Sequence, residues 1–242
     1  MMDSNAYSCD DSQYSFRLFH FQEIKCCTGE KRPEPRSAHR IVHYKGRIYS
    51  FGGFNPDFGV NFEEWLENEH PFKEVWELNL TTGRWTKCEM KGVIPKKIVG
   101  HTAVCHPLHP GMMLIYGGAP APLWWTTDYQ CTINTVVSCH LETREFKRLV
   151  TKEGKGQPMA LHGHAVVTDN SGLFYTVGGT NFSYHHFMDV NMLDLRSSPP
   201  VWTSLYRLSG VMDEPGPRYS NCEVSNFRAT LNFPLTITNQ VL

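Results

Sequence analysis

Gly46-Arg47-Ile48-Tyr49-Ser50-Phe51-Gly52-Gly53 is a short apolar and aromatic run with one glycine before it and two after it. The same frame returns as Gly111-Met112-Met113-Leu114-Ile115-Tyr116-Gly117-Gly118 and as Gly172-Leu173-Phe174-Tyr175-Thr176-Val177-Gly178-Gly179. In every copy the spacing from the first glycine to the pair is the same, which marks a repeat architecture. The run between the glycines is apolar on both faces, as expected of a strand whose sheet is covered on each side. Glycine has no Cβ, so the pair admits φ values closed to other residues and lets neighbouring backbone approach.

Outward from the frame, each copy is preceded by a proline and then a histidine: Pro33 and His39, Pro95 and His101, Pro158 and His164. The histidine opens a first strand, expected over 40–44, 102–105 and 165–168. In the third copy Asp169-Asn170-Ser171-Gly172 reads as the hairpin turn into the framed strand. Beyond the glycine pair lies a loop of variable length, with inserts over 54–74 and 119–135, and then a third strand over 75–80, 136–141 and 190–195. A fourth strand carries one aromatic near its start: Trp85, Phe146 and Trp202.

Four short strands separated by turn signals form the pattern of a propeller blade, with the repeat aromatic packed between blades. One blade cannot cover both of its own faces, so stability depends on stacking. The expected fold is all-β, three four-stranded blades plus the start of a fourth, an incomplete ring. The expected divisions are 1–32, an N-terminal segment in which Tyr14–Phe21 alternates like a single strand, and repeats over 33–94, 95–157 and 158–214. Residues 215–242 begin a fourth repeat and pass into a divergent tail. Pro215-Gly216-Pro217-Arg218 echoes Pro33-Glu34-Pro35-Arg36 with Asn221 in the histidine slot, but no glycine frame follows. The repeat step of roughly 60 residues exceeds the ~40–50 usual for propeller repeats, chiefly through the inserts.

Composition narrows the function. Forty per cent apolar residues, with 14 Phe, 10 Tyr and 6 Trp, supply a sizeable core, and 19 Gly and 15 Pro favour turns over long helices. With 23 basic against 24 acidic residues there is no electrostatic footprint for nucleic acid or an anionic membrane. No apolar run approaches the ~20 residues that span a bilayer. The polar start Met1-Met2-Asp3-Ser4-Asn5 is unlike a cleavable signal, so a cytoplasmic location is expected, with the nucleus also open.

The eight cysteines contain no C-x-x-C pair and read as thiols, with Cys105 and Cys139 inside expected strands. The close histidine sets (His162 and His164; His185 and His186; His101, His106 and His109) lack metal-site spacing, and the repeated position of His39, His101 and His164 favours a structural role. No nucleophile elbow, phosphate loop or dinucleotide fingerprint is present, so no catalytic residue, metal or cofactor is expected.

The glycine pair after an apolar strand, followed by a spaced aromatic, resembles the kelch repeat over residues 33 to about 210. The stretches Arg32-Pro33-Glu34-Pro35-Arg36-Ser37-Ala38-His39-Arg40 and Pro71-Phe72-Lys73-Glu74-Val75-Trp76 resemble one branch of that family. That resemblance implies a six-bladed, non-enzymatic substrate receptor of a cullin-2 RING ubiquitin ligase, reading glycine-ended chain termini. It also implies an elongin-binding helical segment after the propeller. None is visible here, so elongin and cullin-2 are expected partners only if such a segment is supplied.

The alternatives are a kelch scaffold for cytoskeletal or signalling proteins, and a shortened form that is inactive or competes with a complete receptor. Candidate partner-binding residues are Arg36 and Arg218, since a guanidinium suits a terminal carboxylate, with pairing to neighbouring blades as the alternative. Trp65 lies in an acidic insert that is either a recognition loop or a solvated one. Trp124 and Trp125 either anchor a partner or cover a blade edge.

Overall fold

The computed structural model describes residues 23–27, 31–55, 72–95, 98–119, 134–152, 156–158, 162–179 and 189–206, and three short strands between 224 and 238. The strand expected at Tyr14–Phe21 lies outside the described residues. The first sheet is an antiparallel meander of β1 (Arg40–Tyr44), β2 (Arg47–Phe51), β3 (Val75–Asn79) and β4 (Arg84–Cys88). The short β5 (Lys91–Gly92) precedes a second meander, β6 (Thr102–Cys105), β7 (Met112–Tyr116), β8 (Val136–His140) and β9 (Glu145–Arg148). The third is β10 (Ala165–Thr168), β11 (Leu173–Val177), β12 (Val190–Asp194) and β13 (Val201–Tyr206).

Register repeats as faithfully as sequence. Phe51 stands between Arg40 and Val75, Tyr116 between Thr102 and Val136, and Val177 between Ala165 and Val190. Each meander is closed by one bond at the first frame glycine: Leu80 N–H to Gly46 O (3.0 Å), Leu141 to Gly111 (2.8 Å) and Leu195 to Gly172 (3.0 Å). The Asp169 turn forms as expected, its carboxylate accepting from the Ser171 and Leu173 amides.

Two of the three sheets have five strands rather than the expected four. β5 pairs in parallel with the outer strand β9. At the third sheet β14 (Val224–Ser225) pairs in parallel with the inner strand β10, setting Val167 beside Val224. In the expected divergent tail, β15 (Arg228–Thr230) and β16 (Thr236–Thr238) form a separate hairpin.

The cause at the outer edge is general. The segment leading into each blade lies along that blade's last strand and makes one equivalent bond. Cys27 N–H reaches Gly83 O (3.1 Å), Lys91 reaches Arg144 (2.9 Å) and Lys152 reaches Pro200 (2.8 Å). Unpaired backbone at a sheet edge invites foreign strands, and these segments occupy it.

The core lies between sheets, not within them. Val42, Tyr49, Phe51, Val75 and Cys88 of the first pack with Ala103, Met113, Ile115, Cys139 and Phe146 of the second. The other face of the second, through Val104, Leu114, Tyr116 and Val136, packs with Val166, Phe174, Leu193 and Trp202 of the third. Strand alternation creates this division, because successive side chains point to opposite faces. Inner strands adjoin, β1 beside β6 and β6 beside β10, so the sheets stand as consecutive propeller blades.

Candidate functional site

The first strand of each blade faces the line about which the blades are arrayed, and there β1, β6 and the end of β10 enclose a cavity of about 530 Å³. That volume falls within the ~300–1,000 Å³ of small-ligand sites. Val42, Ala103 and Val104 give it an apolar wall, and His39, Arg40, His43, His106 and Thr168 supply the polar groups. None of the described lining residues is Asp or Glu.

Arg40 donates from Nη1 to His39 O at 2.8 Å, which holds its stem along the chain entry. Burial lowers the His39 pKa, and the neighbouring guanidiniums of Arg36 and Arg40 lower it further. Burial, with His109 alongside, brings His106 down to about 4. Near neutral pH these two imidazoles are therefore uncharged. His106 Nδ1 accepts the Leu108 amide at 3.1 Å, so its neutral ring carries the proton on Nε2 and is a donor there. The wall carries the Arg40 guanidinium and several hydrogen-bonding side chains, with no carboxylate among its described residues. It suits an anionic or acceptor-rich ligand.

Of these cavity residues the sequence singles out only His39, by its repeated position, and His106, as one of a close histidine set without metal-site spacing. The available signal was their place on the innermost strand of each blade, along which consecutive residues from His39 to Tyr44 and from Ala103 to Pro107 line the cavity.

The arginine singled out in the sequence is engaged elsewhere. Arg36 Nη2 donates to Glu74 Oε1 at 3.1 Å, Nη1 to Gly52 O at 3.3 Å and Nε to Glu34 O at 3.1 Å. Its guanidinium also lies 4.2 Å from the centre of the Phe72 ring, and the side chain is nearly all buried. It ties the entry of the first blade to the segment before β3, within one blade rather than between blades. Arg218, Trp65, Trp124 and Trp125 lie outside the described residues.

The repeat signature acquires distinct jobs. Gly52, Gly53, Gly117, Gly118, Gly178 and Gly179 all have positive φ. A Cβ on Gly53, Gly118 or Gly179 would come within 2.9 Å of the Cβ of the same blade's histidine, His39, His101 or His164. A Cβ on Gly52 would sit 2.6 Å from the ring of His101 in the next blade.

That histidine also meets the framed strand of the blade before it edge-on: His101 against Phe51 at 5.4 Å and His164 against Tyr116 at 5.1 Å. Thr102 donates to Tyr116 O at 3.3 Å and shares a 3.0 Å bond with His164 Nε2, so His164 donates from Nε2. Phe146 and Trp202 are buried between blades, while Trp85 is only half-buried. Among the described residues no group of three His, Cys, Asp or Glu is placed to hold a metal.

The described cysteines are free thiols. Cys26 and Cys27 are exposed, whereas burial raises the pKa of Cys88 and brings Cys139 up to about 12.

The KLHDC2/KLHL20/DRC7 Kelch-repeats domain matches the chain over residues 3–227. Human kelch domain-containing protein 10 is 30% identical over 191 residues, covering 79% of this chain and 40% of that protein. The Drosophila melanogaster homolog of that protein is 27% identical over 233 residues, covering 89% and 36%. Human kelch domain-containing protein 2 is 28% identical over 91 residues, covering 38% of this chain and 20% of that protein. The chain thus spans about two-fifths of the length of the curated relatives it matches.

Among solved structures, that of YjhT aligns with a TM-score of 0.54 at 18% identity, covering 73% of this chain and 53% of that one, a likeness of fold. Glycine frames seated on histidines, blades joined through those histidines and a domain match over most of the length agree: this chain belongs to the kelch-repeat family.

Proposed function

We propose that this chain is a non-enzymatic protein-recognition module that contributes to a cullin-2 ubiquitin-ligase substrate receptor, and that its inner-strand cavity takes the glycine-ended C-terminus of a target. The observation that carries this reading is the sign of the cavity wall: Arg40 and three imidazoles line it, with no carboxylate among the described lining residues. A terminal carboxylate is the one anion every protein chain carries, and a final glycine, lacking a side chain, fits a channel walled by Val42, Ala103 and Val104. The resemblance to ligase receptors supplies the biological setting, in the cytoplasm or nucleus. Elongin and cullin-2 join through a further segment of the assembled receptor.

The test is fluorescence polarisation of the 242-residue chain with a labelled glycine-ended peptide, beside its C-terminal amide. Losing a charge-assisted hydrogen bond of ~1.5–3 kcal/mol weakens binding about 10- to 100-fold. Replacing exposed His43 by Glu puts a like charge at the site and weakens the acid form more than the amide. Equal affinity for acid and amide would overturn the carboxylate reading. Copurification with actin or a kinase, without elongin or cullin-2 when the receptor is complete, would favour the scaffold alternative.

A further inference from the structure

Among the described cysteines two are reachable, and they stand side by side. Cys26 and Cys27 are exposed, whereas Cys105 is half-buried and Cys88 and Cys139 are buried. Both exposed thiols belong to the segment that leads into the first blade, and Cys27 is the residue that fastens it. Its N–H donates to Gly83 O at 3.1 Å and its Sγ donates to Thr82 O at 3.3 Å. The fit beneath is close. A Cβ on Gly83, at φ +66°, would come 2.2 Å from Lys25 O and 3.4 Å from the Cys26 Cα, so the segment lies directly on the turn between β3 and β4. Before the other two blades, Lys91 and Lys152 make the same backbone bond, with a lysine where the first segment has a thiol.

The two thiols are aimed apart. Cys26 Sγ lies 3.9 Å from Ile24 O, back along its own segment, while Cys27 Sγ turns to the blade. Neighbouring Cα atoms are about 3.8 Å apart, short of the ~4.4–6.8 Å that an ordinary disulfide spans. A ring closed between neighbours is therefore strained and readily reduced, the mark of a labile rather than a structural disulfide. Closing it must also turn the peptide that joins the two cysteines, and the seat on Gly83 leaves no room for that turn in place.

We infer that Cys26 and Cys27 form a reversible dithiol site that takes a small-molecule disulfide, such as glutathione disulfide, as its oxidant, and that closing the ring lifts the lead-in segment off the first blade. One cysteine thiolate attacks a sulfur of the oxidant, expelling one small thiol and leaving a mixed disulfide. The neighbouring thiolate attacks the cysteine sulfur of that mixed disulfide and expels the second small thiol. Two electrons pass from protein to oxidant, and both protons end on the released thiols. The oxidised Cys27 has no S–H to give Thr82 O, and the turned peptide withdraws its N–H from Gly83 O. The turn beside the outer strand then loses its cover and is open to a foreign strand.

The test equilibrates the 242-residue chain with glutathione disulfide or with reduced glutathione, blocks the remaining thiols and digests with trypsin. In the oxidised sample the peptide 26–31 is expected to be two hydrogens lighter and free of bound glutathione, and dithiothreitol restores it. Hydrogen exchange at the Cys27 amide is expected to quicken about fivefold to tenfold on oxidation, as the loss of one backbone hydrogen bond allows. Cys27→Ser keeps a hydroxyl for Thr82 O but cannot close the ring, so the amide at that position exchanges slowly in both buffers. A peptide 26–31 left unoxidised, glutathione retained on either thiol, or a closed ring with unchanged exchange at Cys27 would each sink the inference.

Discussion

A kelch glycine is defined by what would fill the place of its missing Cβ, and the three copies separate two costs that usually arrive together. At Gly118 the added carbon would lie 2.8 Å from the His101 Cβ and 3.1 Å from its backbone, at φ +95°. Gly118→Ala therefore combines ~1–2 kcal/mol for a left-handed non-glycine residue with ~1–3 kcal/mol of overpacking. Gly46, at φ +69° with open space around it, incurs only the first. Urea denaturation should rank Gly118→Ala well below Gly46→Ala, and equal losses would mean that backbone conformation alone selects glycine. The histidine behind the glycine sets a pH dependence. Burial, with Arg40 and His162 nearby, depresses the His164 pKa to about 3, against 6.5 when unfolded. Between those values the unfolded chain binds the extra proton. The stability tied to this group is thus present above about pH 6.5 and drains away as pH falls toward 3. His164→Gln, which keeps a donor for Thr102, is expected to lower the melting temperature at pH 7.5 yet narrow its gap from pH 4.5. Buried His101, whose pKa is also pushed well down, keeps that gap from closing.

At the scale of the strand, the element that repeats most strictly in space repeats least in sequence. Cys27 has nothing in common with Lys91 and Lys152 but its backbone, yet each gives its amide proton to the same position of a blade's outer edge. Lys91→Pro and Lys152→Pro delete that proton. Each is expected to cost about 1 kcal/mol, the net worth of a typical hydrogen bond, and to free the edges of β9 and β13 for foreign strands. Turbidity on mild heating would report this, and a double variant as clear as the parent would show the connectors to be passengers. The meander itself was legible from residues 33 to 206, because glycine frames, turn residues and the fourth-strand aromatics each report a steric demand that few residue types meet. The connectors were not, because a backbone bond can be made by any residue but proline. Arg40 escaped for a related reason: its slot holds Arg, Thr and Ala in the three copies, and repetition draws the eye to what is constant. Arg36 was visible as a guanidinium, but its distant partner Glu74 emerges only when β3 folds back beside β2.

For the whole molecule, the three described blades should contribute unequally, since among them only the middle one has a described blade on both faces. Ile48, Met113 and Phe174 occupy one slot of the framed strand, each turned toward the preceding blade. Met113 is sealed against the first blade, and Phe174 against the second, but Ile48 has no described blade before it and is half-buried. Met113→Ala should cost ~2–5 kcal/mol, as full truncation in a packed core does. Ile48→Ala forfeits only the transfer energy of the area already covered, roughly 1–2 kcal/mol. Because neighbouring repeats stabilise one another through their interfaces, the larger loss falls on a joint shared by two blades and spreads through the row. Denaturation midpoints of the two variants check this ranking, and equal losses at Ile48 and Met113 would show that burial against a neighbouring blade does not set the cost.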